Sequence, residues 1–109
     1  MKIILVDAWN TFIKNKKIIL TNANTKELVK YGIINMPYEV FSLSHDPNKD
    51  NPFYFKLLIE KYNLIIDNLI YIEHNKEAVK SAKSIGIKTH HYNPNEPIEE
   101  LSKFLLKNL

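Results

Sequence analysis

The chain contains no cysteine and no arginine, and each absence excludes a kind of function. Without cysteine there are no disulfides, thiolate metal sites or cysteine nucleophiles. All 15 basic residues are lysines, so the chain lacks the bidentate contacts that arginine makes to phosphates and guanine. These lysines are scattered along the sequence, and the net charge of +3 therefore does not predict a nucleic-acid-binding surface.

Long apolar runs are also missing. No stretch approaches the roughly 18 apolar residues that a membrane-spanning helix needs. The first apolar run meets Asp7 after only four residues, which is too short for a signal peptide. A length of 109 residues with 45% hydrophobic side chains is enough for one domain, 1–109, with its own core. We therefore predict a single-domain cytoplasmic protein with no membrane partner.

The pattern that is present alternates short apolar runs with amphipathic segments. It predicts strands at 2–6, 17–21, 39–43, 69–72 and 87–90, and helices at 25–31, 52–62, 75–85 and 97–108. Strands that alternate with helices indicate a three-layer, Rossmann-like α/β domain with a parallel sheet of about five strands. In such domains the ligand-binding residues lie beyond the carboxyl ends of the strands.

Polar residues end the predicted strands at the points where a ligand site is expected. They are, in chain order, Asp7 in VDAWNTF, Thr21 with Asn22 in ILTNA, Ser42 or Ser44, and Glu73 and His74 in YIEHN. Because the carboxyl ends of parallel strands share one edge of a sheet, these groups are expected to gather there. A further polar residue, Lys49 in KDNP, lies just ahead of a helix.

This set of motifs, in this order, resembles the haloacid dehalogenase (HAD) superfamily. That family has a nucleophilic Asp in hhhDxDxT, a Thr or Ser ending the second strand, a Lys before a helix, and an acidic motif after the fourth strand. The C-terminal stretch YIEHNKEAVKSAKSIGIKT is similar to the last motif with its following helix and Gly-Ile strand. The resemblance covers nearly the whole chain. It implies phosphomonoester hydrolysis through an aspartyl phosphate, with Mg²⁺ as cofactor.

The resemblance also implies a role for each residue. Asp7 would be the catalytic nucleophile, and Lys49 would neutralise the charge on Asp7 and on the phosphoryl oxygens. The implied phosphate-binding residues are Thr21, Asn22 and Lys49. The implied metal ligands are Asp7, the backbone carbonyl of Trp9, Glu73 (directly or through water) and His74.

Three departures from the family pattern bear on activity. Trp9 stands where phosphatases of the family have a second Asp, and losing that general acid–base group costs about 10²–10⁴-fold in rate. His74 is a poor ligand for Mg²⁺, although it suits softer metals or acid–base chemistry. The short link after Thr11 leaves no space for a cap domain, so the open site is expected to admit a small phosphorylated substrate or a phosphorylated macromolecule.

Other interpretations stay open from the sequence. A catalytically silent HAD-like domain would keep the phosphate cradle and bind a phosphorylated ligand or a protein partner. The segment DAWNTF is similar to DAYGTL of the family's dehalogenases, but the helical cap and the substrate-binding arginine of those enzymes are missing. A receiver-like phosphoacceptor has a comparable Asp, Thr and Lys set, but it also has an N-terminal acidic pair. A homodimer, in which a neighbouring chain supplies a cap or an acid, remains an alternative to the monomer.

Overall fold

The structure, a computed structural model, describes residues 3–7, 17–30, 39–93 and 95–108. Its strands are β1 (Ile3–Asp7), β2 (Lys17–Thr21), β3 (Glu39–Ser42), β4 (Leu69–Glu73) and β5 (Lys88–His91). Its helices are α1 (Thr25–Lys30), α2 (Pro52–Tyr62), α3 (Lys76–Ser84) and α4 (Ile98–Asn108), with a 3₁₀ turn at Ile66–Asn68. All five predicted strands are present, and their ends differ from the predicted ones by at most one residue. The turn before β4 was not predicted, and the expected end of α1 at 31–32 lies outside the described residues.

The five strands form one parallel sheet in the order β3-β2-β1-β4-β5. The chain builds the sheet outward from β1 through β2 to β3, and then continues on the other side of β1 with β4 and β5. This arrangement confirms the predicted Rossmann-like architecture. In sheets of this kind, ligands bind beyond the carboxyl ends of the strands where the direction of build-up reverses. The reversal lies between β1 and β4, so the site is expected at their carboxyl ends.

Helices cover both faces of the sheet, because successive strand residues point to opposite sides. On one face the strands pack against α2 and α3 through a buried cluster that includes Leu5, Ile18, Leu20, Phe41, Phe55, Leu58, Tyr71 and Ala82. On the other face Ile4, Ile19 and Ile72 pack against half-buried residues that include Leu101 and Leu105 of α4. All five residues of β4 are buried, as expected for a strand inside the sheet. The result is the predicted three-layer arrangement.

Local capping residues decide where α2 and α3 begin. The Asn51 side chain accepts a hydrogen bond from the Phe53 N–H, and Pro52 occupies the first turn of α2, where a proline N–H is not needed. Asn75 accepts from two backbone N–H groups at the start of α3. These caps orient the loops that precede both helices, and those loops carry the polar motifs. Within the described ranges, no helix has the length and apolar character required to cross a membrane.

Candidate active site

The carboxyl ends of β1, β2 and β4 bring the predicted site motifs to one edge of the sheet. Asp7 is the last residue of β1, and its Cα is in register with Leu20 of β2. The side chain of Asp7 and the whole of Trp9 lie outside the described part of the chain. The nucleophile role of Asp7 and the metal-ligand roles of both residues therefore stay predictions.

Lys49 reaches this edge from the loop that precedes α2. A lysine in the polar segment HDPNKDNP would ordinarily lie in solvent, but Lys49 is only 6% exposed. Its Nζ lies 2.6 Å from Glu73 Oε1 and 3.4 Å from the carbonyl oxygen of Leu20. Leu20 is the register partner of Asp7, so the ammonium group lies beside the end of the strand that carries the predicted nucleophile.

Glu73, at the end of β4, is fully buried and has a complete set of hydrogen bonds. Its Oε1 accepts from the Lys49 ammonium and from the Tyr71 hydroxyl. Its Oε2 accepts from the backbone N–H groups of His74 (2.9 Å) and Asn75 (3.1 Å), immediately before α3. Moving a carboxylate out of water costs several kcal/mol unless partners compensate it, and these four donors provide that compensation.

These contacts bear on the metal-ligand role predicted for Glu73, directly or through water, and that role stays a prediction. An ionised carboxylate offers about four acceptor positions, and all of them are engaged by Lys49, Tyr71 and the two N–H groups. Across the ranges that the structure covers, no three His, Asp or Glu side chains come close enough together to hold a metal ion. These residues by themselves do not fit a magnesium site. The Mg²⁺ predicted from the resemblance therefore depends on Asp7 and Trp9.

His74 lies at the rim of the same edge. Its side chain is 49% exposed, and its Nδ1 lies 3.2 Å from Glu73 Oε2. Its backbone carbonyl is 2.9 Å from Nε2 of His91, which follows Thr89 and His90 in β5. The predicted metal-ligand role of His74 and its alternative role in acid–base chemistry both stay predictions.

Thr21 and Asn22 form the turn after β2. The Thr21 Oγ1 accepts a hydrogen bond from the Ala23 N–H at 3.2 Å, as in an ordinary serine/threonine turn. No acceptor among the described residues takes the hydroxyl proton, so Thr21 can still donate to a ligand. The Asn22 Oδ1 accepts from the Lys49 N–H at 2.7 Å, which ties the lysine loop to the end of β2. Asn22 thus contacts the backbone of Lys49, whereas its predicted phosphate contact stays a prediction.

Tyr54 supports this turn from beneath, a role that the sequence analysis missed. Its hydroxyl lies between the ends of β2 and β3 and accepts from the Thr21 N–H at 3.1 Å. The same oxygen is 2.9 Å from the carbonyl oxygens of Thr21 and Phe41, to which its proton is directed. In the sequence, Tyr54 belongs to the apolar stretch PFYF and is typical of a core residue. Only its hydroxyl, which forms hydrogen bonds at the ends of β2 and β3, distinguishes Tyr54 from an ordinary core residue.

A second polar cluster joins α1 to the lysine loop. Asn24 and Glu27 cap α1 reciprocally, since each side chain accepts from the other's backbone N–H at 3.0 Å. The same Glu27 oxygen is 2.6 Å from His45 Nε2, and His45 Nδ1 is 2.9 Å from Asn48 Oδ1. The hydrogen bond from the Asn24 N–H, followed by that from His45, lowers the pKa of Glu27. The hydrogen bond to Glu27, followed by that to Asn48, raises the pKa of His45.

The fold is similar to two solved structures. The core domain of a proposed phosphoglycolate phosphatase from Streptococcus pneumoniae TIGR4 is 17% identical, with a TM-score of 0.60 over 96% of this chain and 95% of that chain. A proposed β-phosphoglucomutase from Thermotoga maritima is 21% identical, with a TM-score of 0.57 over 87% of this chain and 45% of that chain. No protein-family model and no curated protein sequence matches the chain.

Strand order and these similarities define the class of fold: the chain has the Rossmann-like α/β fold of these two structures, as the alternation of strands and helices predicted. The phosphatase core domain corresponds to almost the whole chain, whereas this chain spans less than half of the mutase. At these identities the similarity establishes the shared fold, and the activity has to be argued from the chemistry of the site.

Proposed function

We propose that this protein hydrolyses phosphomonoesters, with the Asp7 carboxylate as nucleophile. The observation that carries the proposal is the buried Lys49–Glu73 pair at the switch point of the sheet, beside the strand that ends in Asp7. A cation held in a desolvated position interacts strongly with the charge that develops on a transferred phosphoryl group. A lysine that served only solubility would not be buried against a carboxylate at this edge.

In the proposed reaction, the Asp7 carboxylate attacks phosphorus and the bond to the leaving oxygen breaks, which forms an aspartyl phosphate. A water molecule then attacks the phosphorus and releases inorganic phosphate and free Asp7. The Lys49 ammonium neutralises the phosphoryl oxygens, and the Thr21 hydroxyl donates to one of them. Asn22 acts by holding the backbone of Lys49 at the end of β2.

Departure of the leaving group is the weak step of this mechanism. Trp9 cannot donate a proton where phosphatases of the family have an acid, so the leaving oxygen departs unassisted or takes a proton from His74 at the rim. Since general acid help is worth about 10²–10⁴-fold, we expect slow turnover and a preference for esters with acidic leaving groups. The names of the similar structures support a small phosphorylated molecule as substrate.

A Mg²⁺ requirement is part of the proposal and depends on Asp7 and the Trp9 carbonyl. When bound, the ion would supply further positive charge against the phosphate. Glu73 has its acceptor positions engaged by other groups and is not proposed as a direct ligand.

The test is hydrolysis of p-nitrophenyl phosphate, whose leaving group needs no proton, with Mg²⁺ and with EDTA. We expect slow turnover that disappears in Asp7→Asn and falls at least tenfold in Lys49→Met. Asp67→Asn is the matched control, because Asp67 precedes β4 at the opposite edge of the sheet. Turnover that survives in Asp7→Asn would refute the assigned nucleophile.

The second candidate is a silent domain that binds a phosphorylated ligand or a protein without turning it over. Two observations favour a silent domain. Trp9 stands where phosphatases of the family have an acid, and the Glu73 carboxylate is already engaged by four hydrogen-bond donors. Phosphate or beryllofluoride that binds the wild type but not Lys49→Met, with no hydrolysis of any ester tried, would support this second function over the first.

A further inference from the structure

Tyr71 lies directly below the candidate site on the same strand as Glu73. The two residues are separated by one position in β4, so both side chains point to the same face of the sheet. The Tyr71 ring is fully buried and packs against Phe55 of α2, with ring centroids 5.4 Å apart. These contacts hold the ring in place, and its hydroxyl donates to Glu73 Oε1.

The oxygen that accepts from Tyr71 is the oxygen that binds Lys49. The Lys49 Nζ lies 2.6 Å from Glu73 Oε1, while the other carboxylate oxygen is held by the N–H groups of His74 and Asn75. The two N–H groups fix one end of the carboxylate, and the Tyr71 hydroxyl fixes the other. The carboxylate is thereby held against rotation, with Oε1 facing the Lys49 ammonium.

We propose that Tyr71 is a positioning residue for the phosphate-binding lysine. Its hydroxyl holds Glu73 so that the Lys49 ammonium remains at the end of β2, beside the strand that carries Asp7. This inference rests on the proposed function, since it assigns Lys49 to phosphate. Tyr71 would otherwise be classed as a core residue, because its ring is buried and the hydroxyl is the only polar atom of its side chain.

The variant Tyr71→Phe removes this hydroxyl and keeps the ring. Tyr62→Phe is the matched control, because the Tyr62 hydroxyl is also buried but interacts with Glu39 and makes no hydrogen bond to Glu73 or Lys49. Affinity for orthovanadate, measured by calorimetry, is expected to fall about tenfold in Tyr71→Phe, the size of effect typical of a lost hydrogen bond to a charged group. Tyr62→Phe is expected to bind as the wild type does.

A double-mutant cycle separates positioning from a general loss of structure. If Tyr71 acts through Lys49, Tyr71→Phe will cause no further loss of vanadate affinity when added to Lys49→Met. A second tenfold loss on the Lys49→Met background would mean that Tyr71 acts on the fold, and would overturn the proposal. Circular dichroism and thermal unfolding of each variant verify that the compared proteins are folded.

A measurement without any phosphate ligand distinguishes this inference from the proposed function. In ¹⁵N-lysine NMR spectra, the Lys49 ammonium protons are expected to exchange slowly with water in the wild type and in Tyr62→Phe, and faster in Tyr71→Phe. Slow exchange that is unchanged in Tyr71→Phe would refute positioning by Tyr71. Rapid exchange of the Lys49 ammonium protons in the wild type would also refute positioning by Tyr71. The test therefore has a decisive outcome even if the Tyr71→Phe variant fails to fold. Absence of vanadate binding by the wild type, with the expected exchange pattern, would refute only the function.

Discussion

Replacing Lys49 by methionine tests whether the candidate site is built on a buried charge pair. The substitution keeps most of the side-chain volume and removes the cation from Glu73, which is fully buried. Breaking a buried pair by removing one partner typically costs about 3–5 kcal/mol, because the remaining charge is uncompensated. Glu73 would still accept from Tyr71, His74 and Asn75, so we expect a value near the lower limit, about 3 kcal/mol.

The assay is urea unfolding followed by circular dichroism. With an m value of about 1.5 kcal/mol per molar urea, a loss of 3 kcal/mol lowers the midpoint by roughly 2 M. The double variant Lys49→Met, Glu73→Gln is expected to recover at least half of the loss, since a neutral amide of the same shape no longer leaves a charge buried. Lys56→Met, on the exposed side of α2, is the control and should change the stability by less than about 0.5 kcal/mol.

The result that would refute this reasoning is a Lys49→Met protein within about 0.5 kcal/mol of the wild type. Exposed ion pairs contribute about that much, so such a value would mean that the lysine is solvated and that the pair is ordinary surface chemistry. Equal losses in Lys49→Met and in the double variant would also be informative, because they would assign the cost to packing instead of charge.

Two further predictions concern the groups around the lysine loop. His45 has a raised pKa in the folded protein, so its contribution to stability is complete below its ordinary value of 6.5 and is lost as the pH rises through the folded pKa. Glu27 has a lowered pKa, so its contribution to stability is complete above its ordinary value of 4.5 and is lost as the pH falls through the folded pKa. The stability difference between wild type and His45→Gln should therefore be largest between about pH 4.5 and 6.5, and a difference that does not vary with pH would contradict the assigned pair. Tyr54→Phe should lower the free energy of unfolding by about 1–3 kcal/mol, because the Thr21 N–H and the Phe41 carbonyl lose a buried partner. An unchanged urea midpoint in Tyr54→Phe would contradict this, because it would mean that the Thr21 N–H and the Phe41 carbonyl find other partners when the hydroxyl is removed.

Much of the fold could be predicted because its causes are local. Continuous apolar runs predicted each strand within a residue of its observed ends, and Asn51 and Asn75 mark the starts of α2 and α3 through their own side chains. The rule that parallel strands present their carboxyl ends at one edge was enough to expect Thr21 and Glu73 together. Lys49 lies in the loop before α2, and only the resemblance to the HAD superfamily assigned it to the same site.

The burial and bonding of the site were decided by contacts between residues far apart in the chain. Lys49 meets Glu73 across 24 positions, Tyr54 meets Thr21 across 33, and His45 meets Glu27 across 18. No local sequence pattern predicts such pairs. A lysine in a polar loop can be solvated or buried against a carboxylate, and the hydroxyl of a tyrosine in an apolar stretch can bond to water or to a distant strand. The sequence by itself determined the order of the elements and the edge at which the polar residues lie. The tertiary structure alone decided that the cation is buried and that a tyrosine hydroxyl shares its carboxylate, since desolvation and hydrogen bonding depend on which elements pack together.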